Sequence, residues 1–194
     1  MSEAIFNLKI ENKSPIELSD LTDSFTAVAD EYKRFSTKLP DPREQNEIKL
    51  YVKEIKFGSV HAILIDYAPL ILPFAQNIIT IVEFSKFLKY SYEFLTGKTK
   101  EKPQLEKQDY LNLSKIVNPV AKDNGSQIIF NTVINGDIYG DFKVPYLEAN
   151  AAQNSIQREI KQIKEPVSNY HEKVVMYWYQ ARNEPESTTG DRAI

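Results

Sequence analysis

QIIFNTVINGDIYGDFKV, residues 127–144, is the stretch that decides the fold class. The stretch is typical of a strand, a turn at Asn135-Gly136 and a second strand. Asn-Gly is the strongest short signal for a β-hairpin, because both residues accept the positive φ of a type I′ turn. The stretch therefore predicts two antiparallel strands joined at Asn135 and Gly136.

A second hairpin is predicted earlier in the chain, from Glu47 to Ile65, folded at Gly58-Ser59. The alternation of its first strand changes parity at Lys53-Glu54, which predicts a β-bulge at that point. The bulge returns five apolar side chains to one face of the strand: Ile48, Leu50, Val52, Ile55 and Phe57.

A helix is predicted before this hairpin. Ser14 and Glu17 have the spacing of a capping box, and Pro15 stands at the favoured first helical position. Apolar residues then recur at steps of three and four, which predicts a stripe that faces the core: Leu18, Leu21, Phe25, Val28, Tyr32 and Phe35. Four charged residues fall off the stripe: Asp23, Asp30, Glu31 and Lys33.

Three further helices are predicted. The first is a long helix that is entered through Pro69 and Pro73 and stopped by Gly97. Its apolar residues surround it, so we expect it to contact neighbours on more than one side. The second lies near 109–121 and is disturbed at Pro119, and the third covers 150–164.

These elements predict an α+β fold in which antiparallel β-hairpins pack against long amphipathic helices. A length of 194 residues favours a single domain over 1–194. The charged connector KTKEKP, 98–103, is the one candidate boundary, and it would divide the chain into 1–97 and 104–194. The order helix, strand, strand, helix occurs twice. An internal αββα duplication and two unrelated hairpins that obey the same pattern both remain open.

The composition excludes several classes of function. The net charge of −3 supplies no broad positive field for nucleic acid or anionic lipid. The absence of cysteine excludes disulfides and thiolate chemistry, and it suits a cytoplasmic location. The most apolar stretch, 67–82, contains two prolines and is shorter than the roughly 18 to 20 apolar residues of a membrane span. We expect no nucleic-acid partner and no membrane partner.

Motifs for cofactors and metals are missing from the sequence. The glycines form neither G-x-G-x-x-G nor a Walker loop, and no G-x-S-x-G is present, so we predict no cofactor. Asp137 and Asp141 flank the second hairpin turn but lack the spacing of a calcium loop. Strand alternation accounts for them by placing Asp137, Asp141 and Lys143 on one face, and no metal site is predicted.

The two histidines differ in their surroundings. His61 is predicted opposite Lys56, on the face shared with Glu54, as a strand histidine without a special role. His171 precedes the apolar strand Val174–Ala181 and either packs or lines a pocket.

The aromatic residues of the Val174–Ala181 strand complete the sequence candidate for a site. Tyr177-Trp178-Tyr179 lacks the basic groove of a base-stacking platform, and packing is favoured. If a pocket forms, its candidate ligand-binding residues are His171, Tyr177 and Tyr179; no catalytic residue is predicted.

Three segments carry a resemblance to a family of bacterial proteins without an assigned activity: VKEIKFGSVHAIL at 52–64, VEFSKFLKYSYEFLTGK at 82–98 and VVMYWYQARN at 174–183. The resemblance covers residues 16–97 and the last of these segments, and it implies no catalytic residues. Members of that family continue beyond the point where this chain stops. The turn-rich loop at 182–190 is followed by a short segment that resembles the start of another element. We therefore expect these 194 residues to be an N-terminal portion of a longer chain.

Three classes of function remain open from the sequence, and the third, a membrane-associated effector, rests only on the apolar stretch 67–82. The favoured one is a non-enzymatic, cytoplasmic bacterial domain that acts through self-association or contact with another protein. It rests on the apolar strands and on the long helix with more apolar surface than one sheet would cover. The alternative is a small-molecule-binding domain or unrecognised hydrolase with a pocket near His171, Tyr177 and Tyr179. Catalysis there would require a carboxylate within hydrogen-bond reach of His171.

Overall fold

The protein is described from a computed structural model. The structure describes residues 4–39, 49–56, 60–66, 74–163, 178–180 and 192–193, without the side chains of 55–56, 74–79, 178–180 and 192–193. The chain forms two compact units, Met1–Gln162 and Ile163–Ile194.

The described residues of the first unit form nine elements. The eight that follow the N-terminal strand have the order predicted for two hairpins with their helices. The bounds of all nine are β1 Ala4–Glu11, α1 Leu18–Thr37, β2 Leu50–Lys56, β3 Val60–Asp66, α2 Phe74–Leu95, α3 Lys107–Ala121, β4 Gln127–Ile134, β5 Asp137–Pro145 and α4 Tyr146–Gln162. In the second unit β6, Trp178–Gln180, pairs antiparallel with β7, Arg192–Ala193.

Five strands in the described part of the first unit form an antiparallel sheet in the order β2-β3-β1-β4-β5. The N-terminal strand β1 is therefore central, with one hairpin on each side. This confirms the α+β fold. The two hairpins meet β1 through non-equivalent strands, the second strand of the first hairpin and the first strand of the second. The αββα duplication stays a prediction.

The β4–β5 hairpin turns at the predicted residues. Ile134 pairs with Asp137, and φ is 53° at Asn135 and 96° at Gly136, so both turn residues have the expected left-handed backbone.

An additional β-bulge lies in β5, because Thr132 pairs with Gly140 while Val133 pairs with Ile138. The inserted Tyr139 changes the parity of the strand. The expectation that Asp137, Asp141 and Lys143 share a face is therefore wrong. Asp137 stands opposite Ile134, whereas Asp141 stands opposite Asn131, on the other face.

The predicted bulge in β2 is confirmed, since the register shifts between Val52 and Glu54. Leu50, Val52 and Ile55 stand opposite alternate residues of β3, which places these three positions on one face. Ile48, Phe57 and the turn at 58–59 lie outside the described residues. His61 stands opposite Lys56 as predicted.

The start of α1 corrects the sequence expectation. The helix begins at Leu18 with Glu17 as its N-cap, and no side chain caps it. Ser14 does not form the predicted capping box, because its backbone N–H donates to the Asp123 carboxylate at 2.9 Å instead. The N–H of Lys13 donates to the same oxygen at 2.6 Å, so residues 13–14 are tied to the loop after α3.

The long helix α2 ends where predicted. Gly97 has φ 77°, and the N–H of Lys98 donates to the carbonyl of Glu93 at 2.8 Å, an arrangement that closes helix ends. α2 contacts β1, β4, β5, α1 and α4, which confirms contacts on more than one side. The helix predicted near 109–121 is confirmed as α3, with Pro119 inside it. α4 begins at Tyr146, earlier than the predicted residue 150.

In the part of the chain that the structure describes, the core is formed by buried apolar side chains of the sheet and of all four helices. Alternate residues of the central strands are buried: Phe6, Leu8, Ile10, Ile128 and Phe130. Phe84 of α2 lies against them, with its ring centroid 5.5 Å from Phe6 and 5.2 Å from Tyr32. The opposite face of β1 is partly exposed. Among the described residues, no helix has the length and apolarity needed to cross a membrane.

Candidate functional site

A cleft of about 630 Å³ opens between the C-terminal half of α1, the middle of α2 and the segment before α3. Its volume lies in the range of small-molecule sites, roughly 300 to 1,000 Å³. Aromatic, apolar and charged side chains line it, among them Phe35, Lys38, Phe87, Tyr90, Leu105 and Glu106.

Aromatic rings form the wall of the cleft. The rings of Phe35 and Phe87 lie 5.0 Å apart and 32° from parallel. The fully buried ring of Phe84 supports both, at 5.7 Å from Phe35 and 6.4 Å from Phe87. Tyr90 donates its hydroxyl hydrogen to the carbonyl of Glu101 at 3.1 Å. The apolar wall is thus fixed from behind and partly exposed in front.

Charged side chains meet beside this wall, around the buried carboxylate of Asp109. Arg34 Nε donates to Asp109 Oδ1 at 2.6 Å, Lys38 Nζ donates to Oδ2 at 3.0 Å, and the N–H of Glu106 donates to Oδ2 at 2.9 Å. Burial alone would raise the pKa of Asp109, but these three donors outweigh it and lower the pKa. Arg34 also binds the Glu106 carboxylate at 2.8 Å.

A second carboxyl group, that of Glu31, lies buried on α1, the helix that carries Arg34. Asn112 Nδ2 donates to Glu31 Oε2 at 2.8 Å, and Gln108 Nε2 donates to Asn112 Oδ1 at 2.9 Å. Burial is the largest influence and raises the pKa of Glu31 to about 7, with the charge of Asp109 acting in the same direction. The interface between α1 and α3 therefore contains an acid that is partly protonated near neutral pH.

The buried position of Glu31 corrects the prediction that it falls off the core-facing stripe. α1 buries a second side, marked by Ser24, Ala27 and Glu31, because α3 packs against it. Ser24 donates to the carbonyl of Ile116 at 2.8 Å on this side. The sequence signal for this side was the spacing of seven between Ser24 and Glu31, which is hidden among ordinary polar residues.

The ligand-binding residues that the sequence singled out stay a prediction. His171 and Tyr177 lie outside the described residues, and Tyr179 lies in β6 without a described side chain. His61 stands between Lys56 of β2 and Lys9 of β1 in the sheet. Within the described part of the chain, no three His, Cys, Asp or Glu side chains are grouped to hold a metal ion.

Comparison with known proteins supplies no relative for this chain. No family model, curated protein or solved structure matches it. Lys38 and Glu106 are both engaged in ion pairs, and the wall is apolar. Such an arrangement can bind and orient a molecule.

Proposed function

We propose that the chain is a non-enzymatic ligand-binding domain and that the cleft between α1 and α2 takes a small molecule with a flat apolar group. The observation that carries this proposal is the partly exposed Phe35–Phe87 pair in a cleft of about 630 Å³. A flat ring placed against this pair gains contact area and aromatic packing, worth about 0.5 to 1.5 kcal/mol beyond burial.

The charged groups of the cleft support binding rather than catalysis. A lysine that attacks a substrate must lose its proton, and a nucleophile needs an activating neighbour. The Lys38 ammonium and the Glu106 carboxylate are instead held in ion pairs with Asp109 and Arg34. The cysteine-free composition suits a reducing bacterial cytoplasm, where we place the domain in this proposal.

The experiment is an NMR titration of the isotope-labelled protein with indole, a neutral flat ring. Saturable shift changes are expected at the amides of Phe35, Phe87 and Leu105. Phe87→Ala is expected to weaken binding at least fivefold, because it removes half of the aromatic wall. Leu111→Ala is the matched control, since Leu111 is an exposed residue of α3 and does not line the cleft.

Two results would contradict the cleft as a binding site. One is an absence of saturable shifts up to the solubility of indole. The other is an equal loss of affinity in Phe87→Ala and Leu111→Ala, which would show that the shift changes report nonspecific binding of indole.

Self-association is a second candidate function, and two exposed apolar side chains of β5 favour it. Ile138 is 67% exposed and Tyr139 is 60% exposed. Both edge strands contain a β-bulge, at Lys53 in β2 and at Tyr139 in β5, and bulges oppose edge-to-edge pairing. The contact proposed is therefore between the Ile138 and Tyr139 side chains of two copies.

Sedimentation at micromolar concentration tests this second candidate. A dimer is expected for the wild type, and the double variant Ile138→Ser, Tyr139→Ser is expected to sediment as a monomer. A single 22.4 kDa species in the wild type would reject it.

A further inference from the structure

Two side chains of opposite charge line the cleft beside its aromatic wall. The side chain of Lys38 is 43% exposed, and that of Glu106 is 68% exposed. Each is bound to a partner behind the cleft, Lys38 to Asp109 and Glu106 to Arg34. An ammonium has three donors and a carboxylate has about four acceptor sites, so each head group keeps capacity for a ligand.

The buried carboxylate of Asp109 holds both head groups in place. It accepts from Lys38 Nζ and from the backbone N–H of Glu106 through the same oxygen, Oδ2. Arg34 joins the other Asp109 oxygen to the Glu106 carboxylate. The cation and the anion therefore belong to one connected network. A ligand that meets both pays less for ordering them, because the network has already restricted their positions.

We propose that the ligand of the cleft is a zwitterion that joins a flat apolar group to an ammonium and a carboxylate, as an aromatic α-amino acid does. The inference rests on the proposed binding function of the cleft. The carboxylate of the ligand accepts hydrogen bonds from Lys38, its ammonium donates to Glu106, and its ring lies against Phe35 and Phe87.

Ligands with one charge fit this pair of head groups less well. An aromatic amine would meet Glu106 but would bring its cation near Lys38. An aromatic acid would meet Lys38 but would bring its anion near Glu106. Only a zwitterion satisfies both groups without placing like charges together.

Four probes with the same ring and different head groups test the inference by NMR titration near pH 7 and at low salt. They are L-tryptophan, tryptamine, indole-3-propionate and indole. Tryptophan is expected to bind about tenfold more tightly than indole, about 1.4 kcal/mol by the standard conversion, and more tightly than either singly charged probe. Raising the salt concentration is expected to reduce this advantage, because the contacts are partly exposed.

Variants assign the head groups. Lys38→Met is expected to remove the affinity advantage over indole of the two probes with a carboxylate, tryptophan and indole-3-propionate. Glu106→Gln is expected to remove the affinity advantage over indole of the two probes with an ammonium, tryptophan and tryptamine. Lys115→Met is the control, since Lys115 is an exposed lysine of α3 that does not line the cleft. The probe series on the wild type remains decisive if a variant folds poorly.

The outcomes separate this inference from the proposed function. If indole and the other three probes all fail to bind, the cleft is not a binding site and both proposals fall. If indole binds and tryptophan binds no more tightly, the zwitterion inference alone is wrong. Tighter binding of tryptamine or indole-3-propionate than of tryptophan would overturn it as well.

Discussion

Replacing Glu31 with glutamine tests the buried acid between α1 and α3. Glu31 is 1% exposed, and its pKa is raised from 4.5 to about 7, chiefly by burial. Asp109 adds to this rise, while Asn112, Arg34 and Lys38 oppose it. Because the pKa is raised in the folded state, the protonated acid stabilises the fold below pH 4.5. That contribution is lost as the pH rises through about 7.

The size of the effect follows from the linkage between protonation and folding. With pKa values of 4.5 unfolded and about 7 folded, stability falls by about 2.5 kcal/mol between about pH 5 and about pH 8. In a domain of this size about 1 kcal/mol corresponds to roughly 2 to 4 °C in Tm. Glutamine has nearly the shape of the protonated acid and cannot ionise, so Glu31→Gln removes this loss.

Thermal unfolding of wild type and variant at both pH values provides the measurement. The Tm of Glu31→Gln minus that of the wild type is expected to be about 5 to 10 °C more positive near pH 8 than near pH 5. Any loss of stability caused by the new amide itself is the same at both pH values, so it cancels when the two Tm differences are compared. Asp30→Asn, one residue away and exposed, is the control and should show no such change. An equal Tm difference at both pH values would refute the buried, proton-linked acid.

Gly136→Val is expected to destabilise the protein by about 2 kcal/mol in urea unfolding, because φ is 96° at this position. Asn135→Gly is the control and is expected to be tolerated. An unchanged urea midpoint in Gly136→Val would reject the type I′ turn. Phe84→Ala is expected to cost about 3 to 5 kcal/mol, because a fully buried ring leaves a cavity, and a loss below about 1 kcal/mol would place that ring outside the core. Asp109→Asn is expected to cost about 2 kcal/mol near neutral pH, because two cations lose their charged acceptor. Since the pKa of Asp109 is lowered, the wild type loses this contribution as the pH falls below about 3.8, so the difference in stability should narrow in acid. A difference that stays constant with pH would contradict the ionised state of Asp109.

Local chemistry accounts for the features that were predictable from the sequence. The turn at Asn135-Gly136 depends on the φ angles of two adjacent residues, and the end of α2 depends on one glycine. The bulge near Lys53 was visible because apolar parity changes within one strand. Each of these features is decided by residues that are close in the chain.

Contacts between distant elements account for what was missed. Glu31 is buried because α3 packs on a side of α1 that carries few apolar residues, and its partner Asn112 is far away in the chain. Ser14 leaves its predicted capping role because Asp123 takes its backbone N–H. The cleft likewise lies between α1, α2 and the segment at 103–106, which are distant in the chain. No short sequence motif predicts that these segments come together.

The central position of β1 has a consequence for the order in which the sheet can form during synthesis. β1 leaves the ribosome before both of its partners, because β3 ends at Asp66 and β4 ends at Ile134. Until β3 and β4 have been synthesised, β1, with its apolar residues Phe6, Leu8 and Ile10, lacks one or both of its neighbouring strands. Pairings between such distant segments form slowly, and an unpaired apolar strand can associate with other chains meanwhile. The nascent chain is therefore most exposed to aggregation before the second hairpin emerges.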